Sequence, residues 1–211
     1  MNYFKIDKED VCNGEGLRVV LWLSGCAHRC KGCQNPQTWA AKSGISFGKA
    51  SKKELFRELD KNYISGLTLT GGDPLFEENL DDVLDLVTEV NVRYNIKQDI
   101  VQNEEYKRYI LYTNPNEIRL STPRKSIWLY TGYEWDHIFD PQWHYHPQTM
   151  EKLSIGRWKR QQIVSQCDVL IDGRYIEDQR DITLKWRGSR NQRVIDVQKS
   201  LQSGEVVLWC D

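Results

Sequence analysis

Three cysteines, Cys26, Cys30 and Cys33, fall within eight residues of a 211-residue chain that holds six in all. Even scatter would place roughly 0.2 cysteines in such a window, so the grouping calls for a chemical reason. Thiolates are soft ligands that suit zinc and iron–sulfur clusters. Structural zinc usually closes a tetrahedron of four ligands, often as two CxxC-type pairs. Ferredoxin clusters also take four cysteines. The C-x3-C-x2-C spacing supplies only three, with His28 lying between the first two. Three cysteines on four irons leave one iron open, and an open position binds substrate, by the logic that separates catalytic from structural zinc. An iron–sulfur cluster with one open iron is therefore the favoured reading. A zinc site on three thiolates and His28 is the alternative. Cys12, Cys167 and Cys210 are scattered and are expected to be buried as small apolar residues.

A second motif, Thr70-Gly71-Gly72-Asp73-Pro74, follows a short apolar run. Two glycines let backbone approach a ligand closely, and the loop after a parallel strand is where open α/β sheets bind ligands. The other reading is an ordinary tight turn. Further residues carry two readings each. Arg18 either pairs with a carboxylate or reaches a ligand, and Trp39 either packs over the cysteine loop or belongs to the core. Arg187, Asn191 and Gln192 either bind a ligand or partner, or hold a turn together. Asp172 and Gly173 end a strand on the same side of the sheet as the cysteine loop, where ligand contact competes with a structural role. His144 and His146 could pair on a metal, but a surface loop is the simpler expectation.

The elements that must position these groups can be read from periodicity. Residues 17–24 (LRVVLWLS) form a short apolar run that reads as a buried strand leading directly into the cysteine loop. Residues 52–63 and 80–92 place apolar side chains about one helical turn apart and read as amphipathic helices. Residues 67–70, 126–131 and 169–172 read as further strands. Strands alternating with helices indicate βα units, an α/β chain with a mostly parallel sheet. Residues 191–211 are expected to add a helix and a short strand. Residues 95–124 are polar and weakly periodic, and residues 135–146 are dense in Trp, Tyr and His.

Composition narrows the classes. A chain of this length is expected to be one domain, residues 1–211. Its 39% hydrophobic and 28% charged residues are those of a globular protein. The formal charge of −1, from 29 basic and 30 acidic residues, argues against a general nucleic-acid binder. No apolar run approaches the length of a membrane span, and the N-terminal residues lack an apolar signal region. A cytoplasmic location, where thiols stay reduced, is the expectation.

The CxxxCxxC spacing resembles the signature of the radical S-adenosylmethionine (SAM) superfamily, and Gly71-Gly72-Asp73-Pro74 resembles that superfamily's GGE motif. The resemblance implies a 4Fe–4S cluster held by Cys26, Cys30 and Cys33, with SAM chelating the fourth iron. It implies SAM contacts from Gly71, Gly72 and Asp73, and from the backbone of Gly32, Cys33 and Gln34. Within the superfamily the chain resembles the activating proteins of anaerobic ribonucleotide reductase. The segments that carry this run in order along the chain: NGEGLR at 13–18, SGC at 24–26, CQN at 33–35, TW at 38–39, residues 66–74, WLYTGY at 128–133, VLIDGRY at 169–175 and WRGSRNQR at 186–193. The last two are the most discriminating. Glu15 stands where the family usually has Pro, Gln34 where it has a bulky aromatic, and Gly32 replaces a frequent aromatic. The chain is also longer than compact members, with insertions expected near 95–124 and 135–165, in outer loops of the kind that tolerate them.

This resemblance implies a compact partial (β/α) barrel. It implies an activase that reductively cleaves SAM and abstracts hydrogen from a backbone glycine of the reductase's large subunit, fed by a low-potential electron donor. No catalytic side chain is implied beyond the cluster and SAM, because hydrogen abstraction by a carbon radical needs no general acid, base or nucleophile. Two rival functions remain at this level: a radical SAM enzyme acting on a small molecule, and a non-catalytic zinc-binding module.

Overall fold

The computed structural model describes residues 1–95, 123–139 and 152–210. Seven strands form one open sheet in the order β3-β1-β2-β4-β5-β6-β7. They are β1 (Asn2–Asp10), β2 (Arg18–Leu23), β3 (Ile45–Ser46), β4 (Gly66–Gly71), β5 (Ser126–Tyr130), β6 (Val169–Asp172) and β7 (Arg193–Asp196). The four central strands, β2, β4, β5 and β6, pair in parallel, while β1 and β3 on one side and β7 on the other pair antiparallel. The chain is thus mixed α/β with a parallel centre, as its strand–helix alternation indicates.

Central parallel strands are covered on both faces and so carry continuous apolar runs. β2, β4, β5 and β6 fit that rule, and alternation along each strand sorts their side chains into two sets. Val19, Leu21, Leu23, Leu67, Leu69, Ile127, Leu129 and Leu170 join the main core. That core is completed by α1 (Lys49–Leu59), α2 (Leu80–Tyr94), α3 (Trp135–Ile138), α4 (Lys152–Ser165) and α5 (Val197–Ser203). The other set, Trp128, Val169 and Ile171 with Val194 of β7, packs with Tyr130, Trp186 and Cys210. Trp186 and Trp209 both meet Trp128 edge-on, at 4.8 and 5.8 Å between ring centroids. The C-terminal segment therefore covers part of the face that the helices leave open.

Arg18 lies on this second face, is fully buried, and forms no ion pair among the described residues. Its Nε donates to Thr68 Oγ1 (2.7 Å), and its two terminal nitrogens donate to Ser126 Oγ and to the carbonyls of Glu15, Leu67 and Ser126. Burial lowers its pKa to about 10, which still leaves it charged at neutral pH. Arg18 thus ties the starts of β2, β4 and β5 together, which is a structural role. Lys125 does similar work, donating Nζ to the carbonyls of Lys61 (2.9 Å) and Ile64 (2.5 Å) after α1.

The first helix runs over Lys49–Leu59 rather than 52–63: Leu55, Phe56 and Leu59 are buried, but Tyr63 is 54% exposed beyond the helix end. β1, β3 and α4 have no counterpart in the periodicity. β1 is a charged strand that borders the parallel centre and exposes much of its length, and edge protection by charge hides the strand pattern. The C-terminal part holds β7 first and then α5, capped by Asp196, which accepts from Lys199 N at 3.0 Å, and by left-handed Gly204. Of the two expected insertions, residues 96–122 and 140–151 lie outside the described residues, and His144 and His146 with them. Within 135–165, Ile138, Ile163 and Val164 are core residues.

Candidate functional site

The loops after β2, β4, β5 and β6 meet at the C-terminal ends of the parallel strands and enclose one cleft. Cys26, Cys30 and Cys33 line it together with Gln34, Gly71, Gly72 and Asp73, so the two motifs found far apart in the sequence share one site. Asn13, Trp22, His28, Tyr130, Thr131, Gly132, Gly173, Arg174, Tyr175 and Gln192 complete much of the rest of the wall.

Glycine makes the approach of the two motif loops possible. Gly71 has φ +102°, and a Cβ there would sit 2.7 Å from Leu23 N. At Gly72 a Cβ would meet Gly25 O at 2.5 Å. The loops are then joined by hydrogen bonds from Gly72 N to Leu23 O (2.8 Å) and from Asp73 N to Gly25 O (2.7 Å). Cys26 is held from its other side, its N–H donating to Trp39 O at 3.0 Å. Trp39 is half-buried there, with its Nε1 enclosed and without an acceptor among the described residues.

Asp73 is 1% exposed and its carboxylate is largely occupied by the protein. It accepts from Leu75 N (2.8 Å), Thr131 Oγ1 (2.9 and 3.0 Å) and Gly132 N (3.1 Å). His28 Nε2 lies 2.8 Å from Asp73 Oδ2, out of line for a directed N–H bond. The imidazole packs edge-on against Tyr133, 4.8 Å between centroids, and a Cβ at Gly132 would reach within 2.4 Å of it. His28 therefore bridges the cysteine loop to the Asp73 loop instead of turning toward the thiols.

Backbone N–H groups lie close to the thiols. Asn35 N–H donates to Cys33 Sγ at 3.4 Å, and the N–H groups of His28 and Arg29 act electrostatically on Cys26 and that of Tyr175 on Cys30. Burial pushes the Cys26 and Cys30 thiols up, and these N–H groups pull them back toward the thiolate. Bonds of this kind to ligand sulfur also tune an iron–sulfur cluster. Among the described residues no three His, Cys, Asp or Glu side chains converge on the spacing of a single metal ion. Three soft donors around one cavity, with N–H groups near their sulfurs and the nearby histidine engaged elsewhere, suit a cluster rather than one tetrahedral zinc.

Gly32 takes φ +74° and does not line the cleft; a Cβ there would overlap Glu177 Oε2. Glu177 in turn accepts from the Tyr175 hydroxyl at 2.7 Å, a bond within the β6–β7 loop that fixes the carboxylate next to Gly32. Gln192 Nε2 donates to Gly173 O (3.0 Å) and Asn191 Nδ2 to Arg174 O (2.8 Å), so both shape the wall after β6. Arg187 donates to Gln192 O at 3.4 Å within the same turn. Asp172, 1% exposed, accepts both arms of Arg193 (3.1 and 2.6 Å) and Trp135 N (2.8 Å), a structural tie below the cleft. Of the remaining cysteines, Cys167 is buried and Cys210 half-buried, but Cys12 is exposed, against the expectation for it. Thr131 and Gly132 fall within WLYTGY and Tyr175 within VLIDGRY, but those segments assign them no site role, and Glu177 lies outside every such segment; their position just after β5 and β6 is the signal that marks them.

Comparison with known proteins agrees with this geometry. The model of a 4Fe-4S single cluster domain matches residues 12–116 and 110–195. The anaerobic ribonucleoside-triphosphate reductase-activating protein of Enterobacteria phage T4 is 36% identical over 196 residues, 92% of this chain and 93% of that protein. Its namesakes from Escherichia coli K12 and Vibrio cholerae are 33% and 34% identical, over 92% and 91% of this chain and 97% and 96% of their own lengths. At that identity and coverage, with both motifs in one cleft, the chain, itself matched by the model of a 4Fe-4S single cluster domain, belongs to the family of anaerobic ribonucleoside-triphosphate reductase-activating proteins.

Proposed function

We propose that this chain is a radical SAM activase: one 4Fe–4S cluster on Cys26, Cys30 and Cys33, SAM beside it, and a glycine of the anaerobic ribonucleoside-triphosphate reductase as the target. The observation that carries the proposal is the shared cleft, which holds three thiols, no fourth cysteine, and the Gly71-Gly72-Asp73 loop locked against the cysteine loop. When bound, cluster and SAM supply the one-electron chemistry, in which reductive cleavage of SAM leads to hydrogen abstraction from the glycine.

The protein's own part is positioning and exclusion of water. Gly71 and Gly72 present backbone at close range, and with Asp73 they form the SAM wall opposite the thiols. Asp73 acts mainly by orienting that loop, since Thr131, Gly132 and Leu75 take its oxygens. Cys33 and Gln34 present backbone to the same cleft, and Gly32 serves by letting the loop close on Glu177. We read the open sheet as a partial barrel in a single domain, whose open side admits a loop of another protein. A reductant protein is a second required partner, and the cytoplasm, where thiols stay reduced, is the fitting compartment. No helix among the described residues is long and apolar enough to cross a membrane.

Anaerobic reconstitution tests the proposal. Iron and sulfide near four per chain, with SAM cleaved on addition of dithionite, is the expected result. Zinc at one per chain without iron would overturn it.

A further inference from the structure

The charges around the cleft are arranged differently from those on the rest of the molecule. Residues 26–34 and 174–190 flank the cleft, with Arg174 and Tyr175 in its wall, and the two segments meet where Glu177 lies against Gly32. They carry seven basic and three acidic residues, a net of +4 in a chain of net −1, which leaves −5 for the remainder. Elsewhere many cations are matched, as Lys8 is with Glu54, Lys52 with Glu89, Lys159 with Asp81, Arg160 with Glu77 and Arg193 with Asp172, while Lys42, Lys49 and Lys53 around the start of α1 have no described acidic partner. At the mouth, Arg29, Lys31, Arg174, Arg180, Lys185 and Arg190 are all exposed, and none pairs with a described acidic residue. Two of the three acids nearby are engaged internally, Glu177 by the Tyr175 hydroxyl and Asp181 by Thr183.

Like charges gathered on one rim repel one another, and that repulsion is relieved when a surface of opposite sign arrives. The same loop also exposes apolar side chains, Ile182 at 86% and Ile176 at 38%. An apolar contact ringed by charge is the anatomy of a protein–protein interface, whereas non-specific nucleic-acid affinity rests on phosphate contacts and draws nothing from exposed isoleucines.

We propose that this basic rim, with Ile176 and Ile182 on it, is the docking surface for an acidic face of the protein that presents its glycine loop to the cleft. The inference rests on the activase reading above and adds the chemistry of the partner's surface. Docking there places the incoming loop beside Arg174, over the thiols, so that recognition and access to the cleft are one event.

The test uses full-length protein with the reconstituted cluster and the anaerobic reductase. Binding is measured by surface plasmon resonance for the unsubstituted chain and for Arg180→Glu/Lys185→Glu/Arg190→Glu, whose side chains lie outside the cleft wall. The triple variant should bind roughly 30-fold more weakly at low salt, and Lys185→Glu alone about threefold more weakly. The unsubstituted chain should lose affinity as salt rises, and the triple variant should respond far less. SAM cleavage driven by dithionite without the reductase should stay within about twofold in every variant. Unchanged affinity and an unchanged salt response in the triple variant would overturn the proposal. A defect seen only with a protein reductant, with reductase binding intact, would also overturn it and assign the rim to the electron donor. Failure of the activase reading itself would appear in the unsubstituted chain, as absence of dithionite-driven SAM cleavage.

Discussion

Substituting Gly72 by Ala isolates one requirement of the site, the close approach of the two motif loops. Gly72 does not take a positive φ, so alanine adds no backbone strain there, and the effect is steric. The new Cβ would lie 2.5 Å from Gly25 O and 3.0 Å from both Gly25 C and Gly25 N. These are backbone atoms, so no rotamer change relieves the overlap. Ordinary contact requires the loops to part by roughly 1 Å. That movement would stretch the Asp73 N–Gly25 O bond well beyond its present 2.7 Å. Overpacking costs about 1–3 kcal/mol and the lost hydrogen bond about 1 kcal/mol more, so folding stability should fall by about 2–4 kcal/mol. A domain of this size tolerates such a loss, whereas a shift of ~1 Å at a reacting centre can cost ~100-fold in rate. Denaturant unfolding gives the stability change, iron analysis the cluster content, and calorimetry the SAM affinity. The expected pattern is a retained fold and cluster with SAM bound at least ~10-fold more weakly. SAM affinity within twofold of the unsubstituted chain would refute the reasoning, because the loop would then not be the SAM wall.

Other outcomes follow from the same geometry. Cys26→Ala, Cys30→Ala and Cys33→Ala should each abolish SAM cleavage and the cluster's visible absorption, while Cys12→Ala, Cys167→Ala and Cys210→Ala should spare both. His28→Ala removes the bridge to Asp73 but no thiol; iron content should hold while SAM binding weakens about three- to tenfold, as measured by calorimetry. Arg193→Met leaves the Asp172 carboxylate buried and unpaired, and should lower unfolding free energy by about 3–5 kcal/mol in urea titration, with Arg193→Met/Asp172→Asn recovering part of it.

The sequence was most informative where chemistry and periodicity coincide. The cysteine spacing and the Gly-Gly-Asp loop each follow an apolar strand, and parallel pairing of those strands carries both loops to the same end of the sheet. Trp128 and Leu129 of WLYTGY lie in a strand for the same reason, an unbroken apolar run in the sheet centre. What the sequence hid has two physical origins. β1 is charged because it is largely exposed, so its periodicity is lost, and it exists through pairing with β2. The second origin is long-range contact. Nothing in the residue types told that His28 would turn to Asp73, that Tyr175 N–H would lie near Cys30, or that Arg18 would be satisfied by carbonyls and hydroxyls alone. Cys12 was expected inside because free cysteine usually is; it sits exposed just after β1, where the Asp10 side chain caps the turn.

The central claim is that this cleft serves a radical reaction on another protein. Its most direct test mixes the reconstituted, reduced chain with SAM and the anaerobic ribonucleoside-triphosphate reductase, and reads electron paramagnetic resonance. The expected result is a glycyl doublet on the reductase that needs both SAM and this chain. SAM cleavage with no doublet would contradict it and point to a small-molecule substrate instead.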